Sequence, residues 1–173
     1  METIIKNQPA QKFQQWTLDK LVDYIVESHH DYVNESIPIL LDYTAETARI
    51  HGDVHPELFD IRDFFILLAE ELQIHMQEEE NILFPFIKKM VQENSMNAAI
   101  IRHSVGATEH DHRSITRLMQ RINELSSSYA LPDDACPSYV LTFSKLKEFE
   151  EDLHQHLQLE NKVLFPLMYQ SNL

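Results

Sequence analysis

Residues 75–85 read HMQEEENILFP, and residues 156–166 read HLQLENKVLFP, 81 positions later. A chain that writes one eleven-residue stretch twice must give both copies equivalent surroundings. In each, a His is followed four residues on by a Glu, and then by Leu-Phe-Pro. On an α-helix, residues i and i+4 share one face about 6 Å apart along the axis, so each His–Glu pair points one way. Both pairs lie on apolar stripes: Leu68, Leu72, His75, Glu79 and Ile82 in the first copy, Phe149, Leu153, His156, Glu160 and Val163 in the second. Carboxylates turned toward a core are costly unless something answers their charge.

The remainder of the chain reads as helix as well. Gly52 and Gly106 are the only two glycines in 173 residues, a scarcity that suits long helices and disfavours hairpins. Helix one is expected from about Thr17, as N-cap, to Arg49, bent but not ended by Pro38. Ile50 to His55 reads as a turn, and Pro56 suits the start of helix two. A break near Asn94-Ser95 leads to helix three, and SSSYALPDDACPS, residues 126–138, is the clearest loop before helix four. Phe84-Pro85 and Phe165-Pro166 are expected to close the core and kink the helix ends. The fold class is therefore all-α: an up-down-up-down four-helix bundle over residues 17–173, after an N-terminal extension of residues 1–16.

The repeat reaches further. His30-Asp31 on helix one returns as His110-Asp111 on helix three, offset by 80, so a two-helix unit is written twice about a pseudo-twofold axis. His30 falls on the run Val26, His30, Val33, Ile37, and His110 on Ala107, His110, Ser114, Leu118. A single inward His is commonly a hydrogen-bonded core residue. Six inward polar residues, His30, His75, Glu79, His110, His156 and Glu160, repeated pairwise on four helices, are hard to obtain from packing alone.

Two carboxylates that approach each other in a core raise each other's cost, and a dication between them reverses it. Two bridging carboxylates with two His per metal leave room for a bridging oxygen and an open position. Mixed nitrogen and oxygen donors suit iron or manganese better than a structural zinc site rich in thiolates. The order His-x-x-x-Glu also separates this pattern from ferritin-like bundles, where Glu-x-x-His is expected. Glu71 and Asp152 sit one turn before His75 and His156, as candidate acceptors for the imidazole N–H. His29, turned about 100° from His30, is expected outside the site, as are His112 and His154. His51 and His55 at a turn, and Cys136 in a loop, are expected to carry no chemistry.

Composition narrows the partners. The net charge is −14, with 28 acidic against 14 basic side chains and no basic run, which speaks against nucleic acid and against an anionic membrane surface. One cysteine allows no internal disulfide, and with no long apolar run the expectation is a cytoplasmic protein.

The stretches ESHHDYV, QIHMQEEENILFP, TEHDH and HQHLQLENKVLFP, in this order and spacing, resemble the haemerythrin-like superfamily, and most of all its repair-of-iron-centres (RIC) proteins. The resemblance implies two iron ions per chain, oxo- or hydroxo-bridged. It implies His30, His75, His110 and His156 as ligands, with Glu79 and Glu160 bridging, and Glu109 as a proton relay or a holder of departing iron. It further implies repair or protection of iron–sulfur clusters damaged by oxidative and nitrosative stress, by iron donation or reaction with nitric oxide. Partners would be damaged iron–sulfur proteins or iron acceptors, and nitric oxide, oxygen or peroxide. Oxygen-binding haemerythrins carry a fifth His four residues after the first in the third-helix motif, where this chain has Ser114. Reversible oxygen or nitric oxide binding is the alternative reading, and reduction of nitric oxide or peroxide with turnover is a third. The resemblance also leads one to expect a small leading domain bearing a Cys-Cys pair, and the residues here match from about the point where that domain would end.

Overall fold

The computed structural model describes residues 13, 15–93 and 98–170. Four helical rods carry nearly all of them. Helix α1 comprises Leu18–Ile25, a π-turn at Val26–His30 and Asp31–His51. Helix α2 comprises Glu57–Glu78, a π-turn at Glu79–Leu83 and Phe84–Glu93. Helix α3 is Ala98–Leu125, without a π-turn. Helix α4 comprises Pro137–Leu159, a π-turn at Glu160–Leu164 and Phe165–Gln170. The expected break at Asn94-Ser95 lies outside the described residues.

Each rod follows from its apolar spacing. The first segment of α1 buries Leu18, Leu21, Val22 and Ile25, the i, i+3, i+4, i+7 stripe of a core-facing helix. Pro38 stays inside α1, which goes on to bury Leu40 and Thr44. The helix ends at His51, where Gly52 lies against the Phe59 ring and the Ala48 carbonyl with no room for a Cβ. The loop between α3 and α4 passes through Ser127, Ser128 and Tyr129, all left-handed at φ 51°, 59° and 61°. It is tied by Ser128 N–H donating to the Asn123 carbonyl at 2.8 Å and by Asn123 Nδ2 donating to Glu150 at 2.8 Å.

A π-turn inserts one residue and so rotates every position after it. Ile82, expected on the inward stripe of α2, is 66% exposed, and its neighbour Leu83 is buried instead. The same insertion lets Pro85 and Pro166 be absorbed. Each is the second residue of the α-segment after a π-turn, so its missing N–H falls where the ladder already changes register. The helices therefore run on past both prolines.

Two apolar clusters fill the bundle. One gathers Val33, Ile37, Phe65, Leu72, Ile122 and Phe149 towards the α1–α2 turn, and the other Leu21, Ile25, Phe84, Ile87, Val105 and Phe165 towards the opposite end. A polar layer separates them. Helix α1 packs on α2 and α4, and α2 packs on α3. Helix α3 meets α4 mainly at the last segment, leaving their seam the loosest of the bundle. Among the described residues, no helix is long and apolar enough to cross a membrane.

Candidate metal centre

The polar layer is where the repeat converges. His30 Nε2 and His156 Nε2 lie 3.2 Å apart, as do His75 Nε2 and His112 Nε2. Glu160 reaches both pairs, with Oε1 3.0 Å from His156 Nε2 and Oε2 3.1 Å from His112 Nε2. Glu79 Oε2 does the same, 3.4 Å from His30 Nε2 and 3.5 Å from His75 Nε2. Two overlapping donor sets result: His30, Glu79, His156, Glu160, and His75, Glu79, His112, Glu160. All six residues are buried.

His112 thus stands where His110 was expected, and His110 itself is exposed on the far side of α3. The buried pattern, not the matching letters, sets the register of α1 against α3. Val22 and Ile25 recur in the buried pattern as Val105 and Thr108, an offset of 83, whereas Val33, Ile37 and Leu40 recur as Ile115, Met119 and Ile122, an offset of 82. Helix α1 spends one more residue between the two blocks than α3 does, and that residue lies in Val26–His30. The His-Asp dipeptides match in letters at offset 80, but the structural counterpart of His30 is His112. Four residues after His112 stands Thr116, not Ser114, and Thr116 donates to the His112 carbonyl at 2.6 Å. Gly106, on the same helix, faces solvent, and a Cβ there would meet nothing within 4 Å.

The groups that orient the imidazoles were also missed. His30 Nδ1 donates to Glu80 Oε1 at 2.8 Å, and His112 Nδ1 to Asn161 Oδ1 at 3.0 Å. Both acceptors directly follow a shared Glu, so the readable signal was a polar residue after Glu79 and after Glu160. Phe84 and Phe165, from the repeated Leu-Phe-Pro, stack on His30 and His112 at 5.6 and 5.9 Å. Glu71, expected to serve His75, is half-buried and makes no hydrogen bond to it among the described residues. Asp152, expected to serve His156, accepts instead from His29 Nδ1 at 3.2 Å. Glu109 is exposed, and it lines a cleft shared with His112. His154 is exposed, as expected.

His29 stands outside both donor sets and is nonetheless buried, because it sits in the π-turn. Its ring lies parallel to that of His156, centroids 5.5 Å apart and planes 6° apart. His156 Nδ1 is buried without a hydrogen-bond partner, so the stacked His29 ring takes the positioning role that Glu80 and Asn161 play elsewhere. His29→Ala is expected to speed metal release to a chelator by about tenfold, while His29→Phe, which keeps a ring on His156, stays near the parent rate. Equal release from both variants would show that stacking does not hold His156.

The electrostatics describe a core short of positive charge. Burial, aided by the charge of Glu160, pushes the Glu79 carboxyl up to about 8. Burial brings His75 down to about 3 and also lowers His156. Burial opposes charge on His30 and His112 too, but Glu79 and Glu160 beside them raise both. For Glu160, burial is outweighed by His156 and His112, which hold it well below the usual carboxylate range. Both Glu79 oxygens and Glu160 Oε2 are buried with no hydrogen-bond partner. Orphaned carboxylate oxygens facing four imidazole nitrogens are the donors a buried cation requires, so the residues fit a metal.

Two features far from this layer were read as inert. Cys136 is the N-cap of α4, with Sγ 3.0 Å from both His51 Nε2 and Ser138 Oγ. Those hydrogen bonds, Ser138 foremost, bring the thiol down to about 6. His55 Nε2 pairs with Asp134 at 2.9 Å, tying the α1–α2 turn to the α3–α4 loop.

Residues 21–168 match the family described as the Hemerythrin HHE cation binding domain. Among curated proteins, the chain is 30% identical over 149 residues to the iron-sulfur cluster repair protein ScdA of Staphylococcus epidermidis, covering 86% of this chain and 65% of that protein. It is 31% identical over 163 residues to the iron-sulfur cluster repair protein YtfE of Escherichia coli, covering 94% of this chain and 71% of that one. The chain thus spans about two-thirds of the length of these relatives. With histidines and carboxylates from all four helices meeting in one buried layer, the chain belongs to the haemerythrin HHE cation-binding family.

Proposed function

We propose that this chain holds two iron ions in the polar layer, bridged by Glu79 and Glu160, and yields iron for the repair of damaged iron–sulfur proteins. The observation that carries this reading is the sharing of both carboxylates between two histidine pairs. Each Glu reaches imidazoles of both sets within 3.5 Å. Likeness to proteins named for iron–sulfur cluster repair supports the direction.

Iron at such a site supplies a positive charge and a redox-active ion in place of the missing protons. The protein's own part is positional. Glu80 and Asn161 fix the His30 and His112 rings, Phe84 and Phe165 cover them, and the two apolar clusters exclude bulk water from above and below. Nitric oxide, oxygen or peroxide are proposed as small-molecule partners of the same layer. Incubating the reduced, iron-loaded chain anaerobically with an apo iron–sulfur protein tests the reading. Iron is expected to appear in the acceptor in proportion to iron lost. Retention of both ions, with nitric oxide consumed instead, would replace donation by gas chemistry.

A further inference from the structure

The two flanks of the polar layer, equivalent by the repeat, carry side chains of opposite charge. Beside His112 is a solvent-open cleft of about 640 Å³ lined by Glu109, His112, Arg113, Thr116, Arg117 and Asn161. The repeat places Asp31, Glu35 and Glu80 beside His30 at the positions that Arg113, Arg117 and Asn161 take beside His112. Three carboxylates on one side therefore become two guanidiniums and an amide on the other.

Among the described residues, neither Arg113 nor Arg117 forms an ion pair, although the chain has twice as many acidic as basic side chains. The one bond of this pair is Arg117 Nε donating to the Arg113 carbonyl at 3.1 Å, which leaves the terminal nitrogens of both residues free. One turn separates the two arginines on α3, so their planar forks can address one ligand. Asn161 spends its oxygen on His112 Nδ1 at 3.0 Å, so its NH₂ group is left to donate. The acidic Glu109 on the rim opposes an anion, but its counterpart region on α1 has Glu27 as well, so the contrast between the flanks stands.

We infer that this cleft is a binding site for a small oxyanion or carboxylate, held by Arg113, Arg117 and the Asn161 amide immediately beside His112. The inference goes beyond the proposed iron role and rests on it only for a consequence. A ligand on Asn161 bears on the group that orients His112, and so on the His75–His112 set rather than the His30–His156 set.

Calorimetric titration of the metal-loaded chain at fixed ionic strength tests it, with sulfate and succinate as probes too weak to strip metal. Saturable binding of one or both is expected; sulfate alone would mark an inorganic oxyanion site, succinate alone an organic carboxylate site. Arg113→Gln with Arg117→Gln is expected to weaken binding at least about tenfold. Asp31→Asn with Glu35→Asn, on the opposite flank, should leave it within about twofold. Heat that never saturates with either probe, or equal binding by the arginine double variant, would overturn the site. Metal content measured on the same samples keeps this outcome separate from the two-iron reading.

Discussion

Replacing His112 with alanine is expected to cost the chain about one of the two metal ions proposed for it, whereas His110→Ala should leave the metal content unchanged. His112 Nε2 lies 3.2 Å from His75 Nε2 and 3.1 Å from Glu160 Oε2, so its loss removes a quarter of one donor set and leaves the other intact. His110 is exposed and lies two residues round α3, roughly 200° away. Glu79→Ala should be worse than either, because that carboxylate faces both histidine pairs. Elemental analysis of the three purified variants decides the matter. Full metal in His112→Ala beside depleted metal in His110→Ala would restore the reading of the letters over that of the packing.

That contrast marks where the sequence is legible. The His75–Glu79 and His156–Glu160 pairs could be read because spacing within one helical turn survives any local irregularity nearby. The bundle could be read because four amphipathic stripes with almost no glycine leave few other folds. The partner of His30 on α3 could not, because the repeated His-Asp letters match at offset 80 while the apolar positions that set the packing recur at 82 and 83. The one-residue insertion in Val26–His30 carries a buried His29, and the buried pattern, at offsets of 83 before it and 82 after it, pairs His30 with His112 rather than with the letter-matched His110. A separate π-turn, Glu79–Leu83 in α2, put Leu83 inside in place of Ile82. Glu80 and Asn161 escaped notice because helix geometry directed attention to the residues one turn before each His, while the acceptors came from the neighbouring helix.

Stripped of metal, the protein is expected to melt roughly 10 °C lower than the loaded form at pH 8 and to regain part of that loss as the pH falls towards 6.5. The sign follows from which state holds more protons. Glu79 releases its proton near 4.5 when unfolded and at about 8 in the metal-free fold. Between those values the folded state carries a proton that the unfolded state lacks, so stability declines as pH rises. His30 and His112, raised by Glu79 and Glu160 against the pull of burial, act in the same direction. Their contribution is present below 6.5 and disappears as pH climbs through their folded values. His75 and His156, lowered by burial, act in the opposite direction: they cost stability as the pH falls through 6.5, where the unfolded chain takes up the protons. Glu160, held low by the imidazoles, contributes steadily throughout this range and loses its effect only in acid. Near pH 6.5 the two histidine pairs oppose one another, and from there to pH 8 the fall with pH is carried by Glu79. Bound cations take over the role of those protons, so the loaded protein should show a melting temperature almost flat across the same interval. Thermal melts of both forms at pH 6.5, 7.2 and 8 provide the check. A metal-free melting temperature that matches the loaded one, or that rises with pH, would mean that Glu79 and Glu160 are not forced together in the folded core.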